Sequence, residues 1–240
     1  MLSIIVPVLN EEKIIKDSLK MLSSSIDAFK TSTDIFEIEV IISDAGSEDF
    51  SIEIVKDFCK ERKDFRLCEG QILQPSIGKT VKQGIDESLF SYVLILPVDC
   101  RVSSANFTML KKFIDSKKSY GGFSKYYFNK SLLMKIYAIL QNLVRTKFLS
   151  HYVWTNGIVL QKMVLNKVPI PTDGFMEDVV FSDRLKQEFK HTYMNCPILV
   201  DSRLYDQKGP FSRMIINLII MIFFRLGCKN KHFLKAIYKL

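Results

Sequence analysis

Three apolar runs in the first half of this chain each end in a carboxylate. Residues 2–9 (LSIIVPVL) lead into Asn10, Glu11 and Glu12, residues 40–43 (VIIS) lead into Asp44, and residues 92–98 (YVLILPV) lead into Asp99. Continuous apolar runs of this length fit strands buried on both faces, as in a parallel sheet covered by helices. Between the first two runs, Ile14, Ile15, Leu19, Leu22, Ile26 and Phe29 recur at helical spacing over residues 12–29. Asp49 or Ser51 can cap a second helix with Ile52, Val55, Phe58 and Cys59 facing inward. A short strand over 65–68 and a helix over 78–89 complete a βαβαβ rhythm, which predicts an α/β fold with a right-handed, parallel, doubly wound sheet. In such sheets ligands bind at the carboxyl ends of the strands, where Glu11, Asp44 and Asp99 fall.

Beyond Asp99 the pattern loosens. Helices are expected over 106–114, 132–148 and 179–189, and strands over 121–128, 153–160 and 197–201. No internal repeat, low-complexity segment or linker separates the two parts. The expected organisation is one domain over 1–210, with a nucleotide-binding half (1–101) and an acceptor half (102–210), followed by a tail at 211–240.

At 240 residues and 48% hydrophobic content the chain has ample material for a packed core. Its five cysteines (Cys59, Cys68, Cys100, Cys196, Cys228) form no metal-ligand spacing, which fits reduced thiols in a cytoplasmic setting. The N-terminus lacks a basic region before its apolar run and is not read as a signal peptide. Seven of the net eight positive charges lie between Gln207 and Leu240, where there is no Asp or Glu. The same segment holds the apolar stretch 214–224, far shorter than the roughly 20 residues that span a bilayer. An interfacial helix on the inner face of an anionic membrane and a helix docked on the domain both fit this pattern. Its basic residues are spaced by aliphatics, not by stacking aromatics, which argues against nucleic acid as a partner.

Each motif has a structural and a chemical reading. The turn from Pro7 through Asn10 and Glu11 can hold a nucleoside, with Asn10 or Glu11 bonding to base or ribose; it is equally a helix entry capped by Asn10. Asp44, with Gly46 permitting a tight turn, can accept from a base N–H or a ribose hydroxyl. Gly78-Lys79-Thr80 is not a phosphate loop, because the gap back to Gly70 is too long, and no GxGxxG occurs. Lys79 at a helix start can still meet a phosphate. Asp99 can bind Mg2+ or Mn2+, cations that take oxygen ligands and share them with a diphosphate; an Asp99–Arg101 ion pair is the structural alternative. Glu177 and Asp178 open a helical pattern, where carboxylates are stabilised whatever their task. Aimed into a cleft, Asp178 can take the proton of an attacking hydroxyl. His151, His191 and His232 fit no catalytic pattern.

Taken in order, Ile4-Ile5-Val6-Pro7-Val8-Leu9-Asn10-Glu11-Glu12, Asp44-Ala45-Gly46-Ser47-Glu48-Asp49, Val98-Asp99 and Glu177-Asp178 resemble the motif series of the GT-A glycosyltransferases of family 2 over roughly 2–205. Met176-Glu177-Asp178-Val179, Asp201-Ser202-Arg203, Leu226-Gly227 and Tyr238 look similar to a smaller subgroup, the radical-SAM-associated enzymes linked to arsenosugar biosynthesis. The resemblance implies a Rossmann-like, mixed but mostly parallel sheet flanked by helices, with a C-terminal helical tail. It implies inverting transfer from a nucleotide-sugar donor to an acceptor hydroxyl. Donor contacts would come from Pro7, Asn10, Glu11, Asp44, Gly46, Lys79 and Arg203, the last toward the diphosphate. Asp99 would hold the metal, Asp178 would be the base, and Glu177 would stand beside it. The chain departs from the pattern at Ala45 and Pro97, where the family has acids, and at Thr155-Asn156-Gly157, where the subgroup has Gly-Asp-Gln. Transfer to a polyprenyl phosphate and a non-catalytic nucleotide-binding role are the alternative readings.

Overall fold

The computed structural model describes residues 1–32, 36–70, 72, 74–128, 131–172, 174–228 and 230–239, apart from several side chains in the tail. Its centre is an eight-stranded sheet in the order β3-β2-β1-β4-β7-β6-β8-β5. The strands are β1 (Leu2–Val8), β2 (Ile38–Asp44), β3 (Phe65–Glu69), β4 (Tyr92–Ile95), β5 (Cys100–Arg101), β6 (Tyr120–Tyr127), β7 (Ile158–Gln161) and β8 (His191–Val200). The first four are parallel, in register Ile5↔Ile41 and Ile5↔Ile95. β7 runs antiparallel between β4 and β6, and β6 and β8 are parallel again.

The period of two along β1 explains its unbroken apolar run. Leu2, Ile4, Val6 and Val8 join the core beneath helix α1 (Ile15–Lys30), which contributes Ile15, Leu19, Leu22, Ile26 and Phe29. Ile5 faces the opposite way, into the core shared with Val81 and Ile85 of α3 (Ile77–Asp86) and with Phe181 and Leu185 of α6 (Glu177–Glu188). The helix α2 (Ser51–Glu61) buries Val55, and α4 (Ser104–Asp115) buries Phe107, Leu110 and Phe113 on the α1 side. Helices therefore cover both faces of the β1, β2 and β4 part of the sheet, whose strand ends are open to a ligand, while Tyr126 and Leu199 on β6 and β8 stay exposed.

Several expectations are revised. The strand expected over 153–160 begins only at Ile158 and runs antiparallel. This makes the sheet mixed and mostly parallel, as the family resemblance implies, and not wholly parallel as the βαβαβ rhythm alone predicts. Residues Trp154–Asn156 form a 3-10 turn, closed by Gly157 at φ 59°. Its cause is Asn156, fully buried, which accepts from the Val153 N–H and donates to the Phe123 carbonyl. The helix expected over 132–148 is α-helical only in α5 (Leu132–Leu140) and continues as a π-helical stretch, Gln141–Phe148. There the Leu149 N–H bonds back to the Val144 carbonyl and the Thr146 hydroxyl to the Gln141 carbonyl. Asn142 turns inward and pairs with both backbone groups of Lys125, at the irregularity in β6. β8 starts six residues before the strand expected from 197, and the two-residue β5 was not anticipated.

The tail forms α7 (Arg203–Lys208), α8 (Pro210–Arg225) and α9 (Lys231–Lys239). α8 is docked: Arg225 pairs with Asp183 of α6 through two nitrogens, and buried Arg213 lies 3.8 Å from the Tyr238 ring and donates to its carbonyl. No described helix is long and apolar enough to cross a membrane. The side chains of Lys208, Lys229, Lys231, Lys235 and Lys239, which carry most of the tail's charge, lie outside the described residues.

Candidate active site

The turns after β1 and β2 are stitched together. Asn10, at φ 56°, donates its N–H to Ser47 Oγ and accepts the Glu48 N–H on Oδ1. The Glu11 N–H bonds Ser51 Oγ, and the Glu12 N–H bonds Asp49 Oδ2. Asn10 is thus no helix cap: α1 starts at Ile15, and the Asn10 amide locks one strand-end turn onto the other. Asp44 is buried and turns on its own loop, accepting the N–H groups of Gly46 and Ser47 and the Ser47 hydroxyl. Pro7 sits beside Ser43 in the parallel register, so its missing N–H lies inside the sheet next to this pair of turns. Gly46 holds φ 94°. Gly46→Ala is therefore expected to cost about 1–2 kcal/mol, read as a lowered urea midpoint.

A second group of charges lies where β1, β4 and β8 end. Arg203 binds Asp201 through Nε at 2.8 Å and reaches Glu11 Oε2 at 3.5 Å. Burial raises the carboxyl of Glu11; Arg203 opposes this, while Asp99 and Asp201 add to it. Asp99 is raised by burial, with the like charge of Asp201 adding to the effect and the Cys100 thiol and Lys125 opposing it. Three acids and one arginine therefore share a small, poorly solvated region, where a cation is welcome. No three His, Cys, Asp or Glu side chains form a complete metal cage among the described residues. The donor set fits an ion that takes one protein carboxylate and completes its shell with diphosphate oxygens and water.

A third group links Asp99 to Asp178. The Cys100 thiol lies 3.5 Å from Asp99 Oδ1 and 3.8 Å from the Thr155 carbonyl. The Thr155 hydroxyl accepts from the Lys125 ammonium at 3.0 Å, and the Trp154 N–H bonds Asp178. Lys125 is thereby placed in the field of both carboxylates. Burial raises the carboxyl of Asp178, against the pull of the Val179 N–H, Arg145 and Lys125. A carboxylate with a raised pKa at the mouth of a sheet edge is suited to accept a proton.

Glu177 and Lys79 face elsewhere. Both carboxylate oxygens of Glu177 are used, one by the Gly78 N–H and one by the Gly174 N–H, each at 2.8 Å. This clamps the start of α3 to the start of α6, and a Cβ on Gly78 would run into the Pro171 carbonyl. Lys79 Nζ bonds the Gln74 carbonyl. Met176, at φ 55°, turns the chain so that Glu177 points into this clamp and Asp178 into the site. The site also contains Lys125 and Arg145, which sequence reasoning passed over, and Thr155 and Asp201, which it named only within longer motifs and gave no role. Lys125, a cation within an otherwise aromatic and glycine-rich strand, was the available signal.

A family model described as Glycosyl transferase family 2 matches residues 3–168. No curated protein matches the chain. Among solved structures, S. aureus TarS 1-349 is 17% identical with a TM-score of 0.66, covering 91% of this chain and 65% of that one. A mannosyltransferase from Pyrobaculum calidifontis, in complex with GDP-Man and Mn2+, is 14% identical with a TM-score of 0.66, covering 96% and 65%. Glucosyl-3-phosphoglycerate synthase from Mycobacterium tuberculosis, with Mn2+, UDP and phosphoglyceric acid, is 15% identical with a TM-score of 0.63, covering 96% and 80%. At such identities the likeness is one of fold, the GT-A arrangement. The chain spans only about two thirds of the length of the first two.

Proposed function

The chain belongs to glycosyl transferase family 2, and from that premise we propose that it moves a sugar from a nucleotide-diphosphate donor onto an acceptor hydroxyl with inversion. The observation that carries the reading is the convergence of Asp99 and Asp178, from distant parts of the chain, around the Lys125 ammonium at one sheet edge. The donor's base and ribose lie against the stitched turns of Pro7, Asn10, Glu11, Asp44 and Gly46, and its diphosphate lies toward Arg203 and Asp99. The N-terminus of α3, with Lys79, offers further phosphate contacts.

Asp99 would hold a Mg2+ or Mn2+, which when bound neutralises the departing diphosphate. Asp178 takes the acceptor's proton as its oxygen attacks the anomeric carbon, and inversion needs no enzyme nucleophile. Glu177 positions Asp178 by fixing the first turn of α6. The narrower kinship with the radical-SAM-associated subgroup rests on Met176–Val179 and Asp201–Arg203 and carries no acceptor with it.

A panel of UDP-, GDP-, dTDP- and ADP-sugars in a thermal-shift assay tests this. A donor at saturating concentration should raise the melting temperature by mass action, about 2.7 kcal/mol at a hundredfold excess over Kd. The gain should be larger with Mn2+ and lost in Asp99→Ala. No shift with any donor would sink the reading and favour a non-catalytic nucleotide-fold protein.

One observation favours a lipid-linked acceptor within the same chemistry. α5 and its π-helical extension expose Leu132, Ile136, Leu140, Val144 and Phe148, and the neighbouring α8 exposes Phe211, Leu218 and Ile222. An apolar surface of this extent fits peripheral contact with a membrane. Activity found only with vesicle-borne acceptor would establish it.

A further inference from the structure

Two basic side chains near Asp178 make no direct ion pair among the described residues, although Lys125 lies in the field of Asp99 and Asp178. Lys125 is 3% exposed, and its ammonium has a single hydrogen-bond acceptor among the described residues, the Thr155 hydroxyl, although it carries three donors. The Tyr127 ring lies 5.4 Å from it. Arg145, on the π-helical stretch, reaches only Asn156 Oδ1, at 3.4 Å, and its Nε is buried without a partner. Neither comes within ion-pair distance of a carboxylate among the described residues. Arg62 and Arg225, by contrast, grip their aspartates through two nitrogens each.

Burial, and then the neighbouring charge of Arg145, push Lys125 toward its neutral form; an anion seated against Lys125 and half-buried Arg145 would hold both charges in place. The backbone is shaped to seat one. The Asn142 amide pins the irregular turn of β6 at Lys125, and the helix carrying Arg145 is widened at that point. π-helical insertions of this kind are frequent at functional sites. Two adjacent cations, one a guanidinium fork, suit a phosphate better than a single carboxylate.

We propose that Lys125 and Arg145 bind a phosphate group carried by the acceptor, seating it beside Asp178. The assignment rests on the transferase reading above. The acceptor is favoured over the donor because both cations act on Asp178, whereas Arg203 pairs with Glu11 and Asp201; Lys125 also acts on Asp99 and so stands between the two groups. The phosphate can belong to a small sugar or polyol phosphate or to the headgroup of a polyprenyl lipid.

The test uses the full chain saturated with its nucleoside diphosphate and Mn2+. Inorganic phosphate, glycerol phosphate, and phosphatidylcholine vesicles doped with a polyprenyl phosphate are titrated into wild type, Lys125→Gln, Arg145→Gln and the charge-keeping Lys125→Arg. Wild type and Lys125→Arg should bind at least one of the three. The two glutamine variants should lose about tenfold or more in affinity, and without ligand they should melt at or above wild type, because an uncompensated charge has gone. Response to the soluble phosphates identifies a small acceptor, and response to doped vesicles alone identifies the lipid.

Phosphate that is displaced by the nucleotide would assign the pair to the donor and overturn the proposal. So would equal affinity in the glutamine variants, no binding of any probe, or glutamine variants that melt well below wild type. If no nucleotide binds while phosphate still binds at the pair, the donor reading fails and the anion site stands. Should Arg145→Gln not fold, Lys125→Gln against Lys125→Arg carries the comparison.

Discussion

Asp178→Asn lowers kcat by about 10²–10⁴-fold, the usual worth of a positioned base, and leaves donor affinity unchanged. The amide oxygen of Asn can still accept the Val179 N–H, so the first turn of α6 survives, while the ability to take a proton is lost. Burial raises the Asp178 carboxyl above its ordinary value of 3.8, so the acid limb of the wild-type kcat–pH profile lies above that value, with activity rising as Asp178 ionises. The sign for stability is opposite. A carboxyl with a raised folded-state pKa contributes stability that is present below the unfolded pKa and is lost as pH rises through the folded one. At neutral pH the charged Asp178 is therefore a cost, and Asp178→Asn should melt no lower than wild type. Single-turnover kinetics and isothermal titration with the donor check the two halves. A variant that keeps most of its turnover would show that the attacking oxygen is already anionic, as in a phosphate acceptor.

The adjacent residue should behave in the reverse way. Glu177→Ala strips two backbone N–H groups, those of buried Gly78 and half-buried Gly174, of the carboxylate oxygens they donate to. Hydrogen bonds to a charged group are worth about 1.5–3 kcal/mol each, so a loss of about 3–6 kcal/mol is expected, a large part of the stability of a domain this size. Glu177→Gln keeps one acceptor oxygen and should lose roughly half as much. Urea denaturation reads both. Equal stability of Glu177→Ala and wild type would mean that the α3–α6 clamp does not hold the site, and that Glu177 is free to act on substrate.

Much of the first half could be read directly from the chain. A run buried on both faces announces itself by composition alone, so β1, β2 and β4 were found, although β4 ends at Ile95 and Asp99 stands in the turn beyond it. The spacing of Ile15, Leu19, Leu22, Ile26 and Phe29 fixed the face of α1. The second half was less legible. A four-residue strand such as β7 carries too little pattern to show its direction, and antiparallel insertion between β4 and β6 is decided by what packs on either side. The π-helical stretch depends on Asn142 finding the backbone of Lys125, a partner 17 residues away that no periodicity encodes.

The sequence by itself determined the α/β class, the order of the motifs and which acids stand at strand ends, because these follow from local periodicity and from the direction of a buried strand. The tertiary structure alone decided what each polar group does. It turned Asn10 onto the neighbouring turn and Asp44 onto its own, spent Glu177 on two backbone N–H groups, and left Asp178, Lys125 and Arg145 near one another without a direct ion pair. The physical reason is that a side chain's chemistry is set by its hydrogen-bond partners and its burial, and both are supplied by residues distant in the chain.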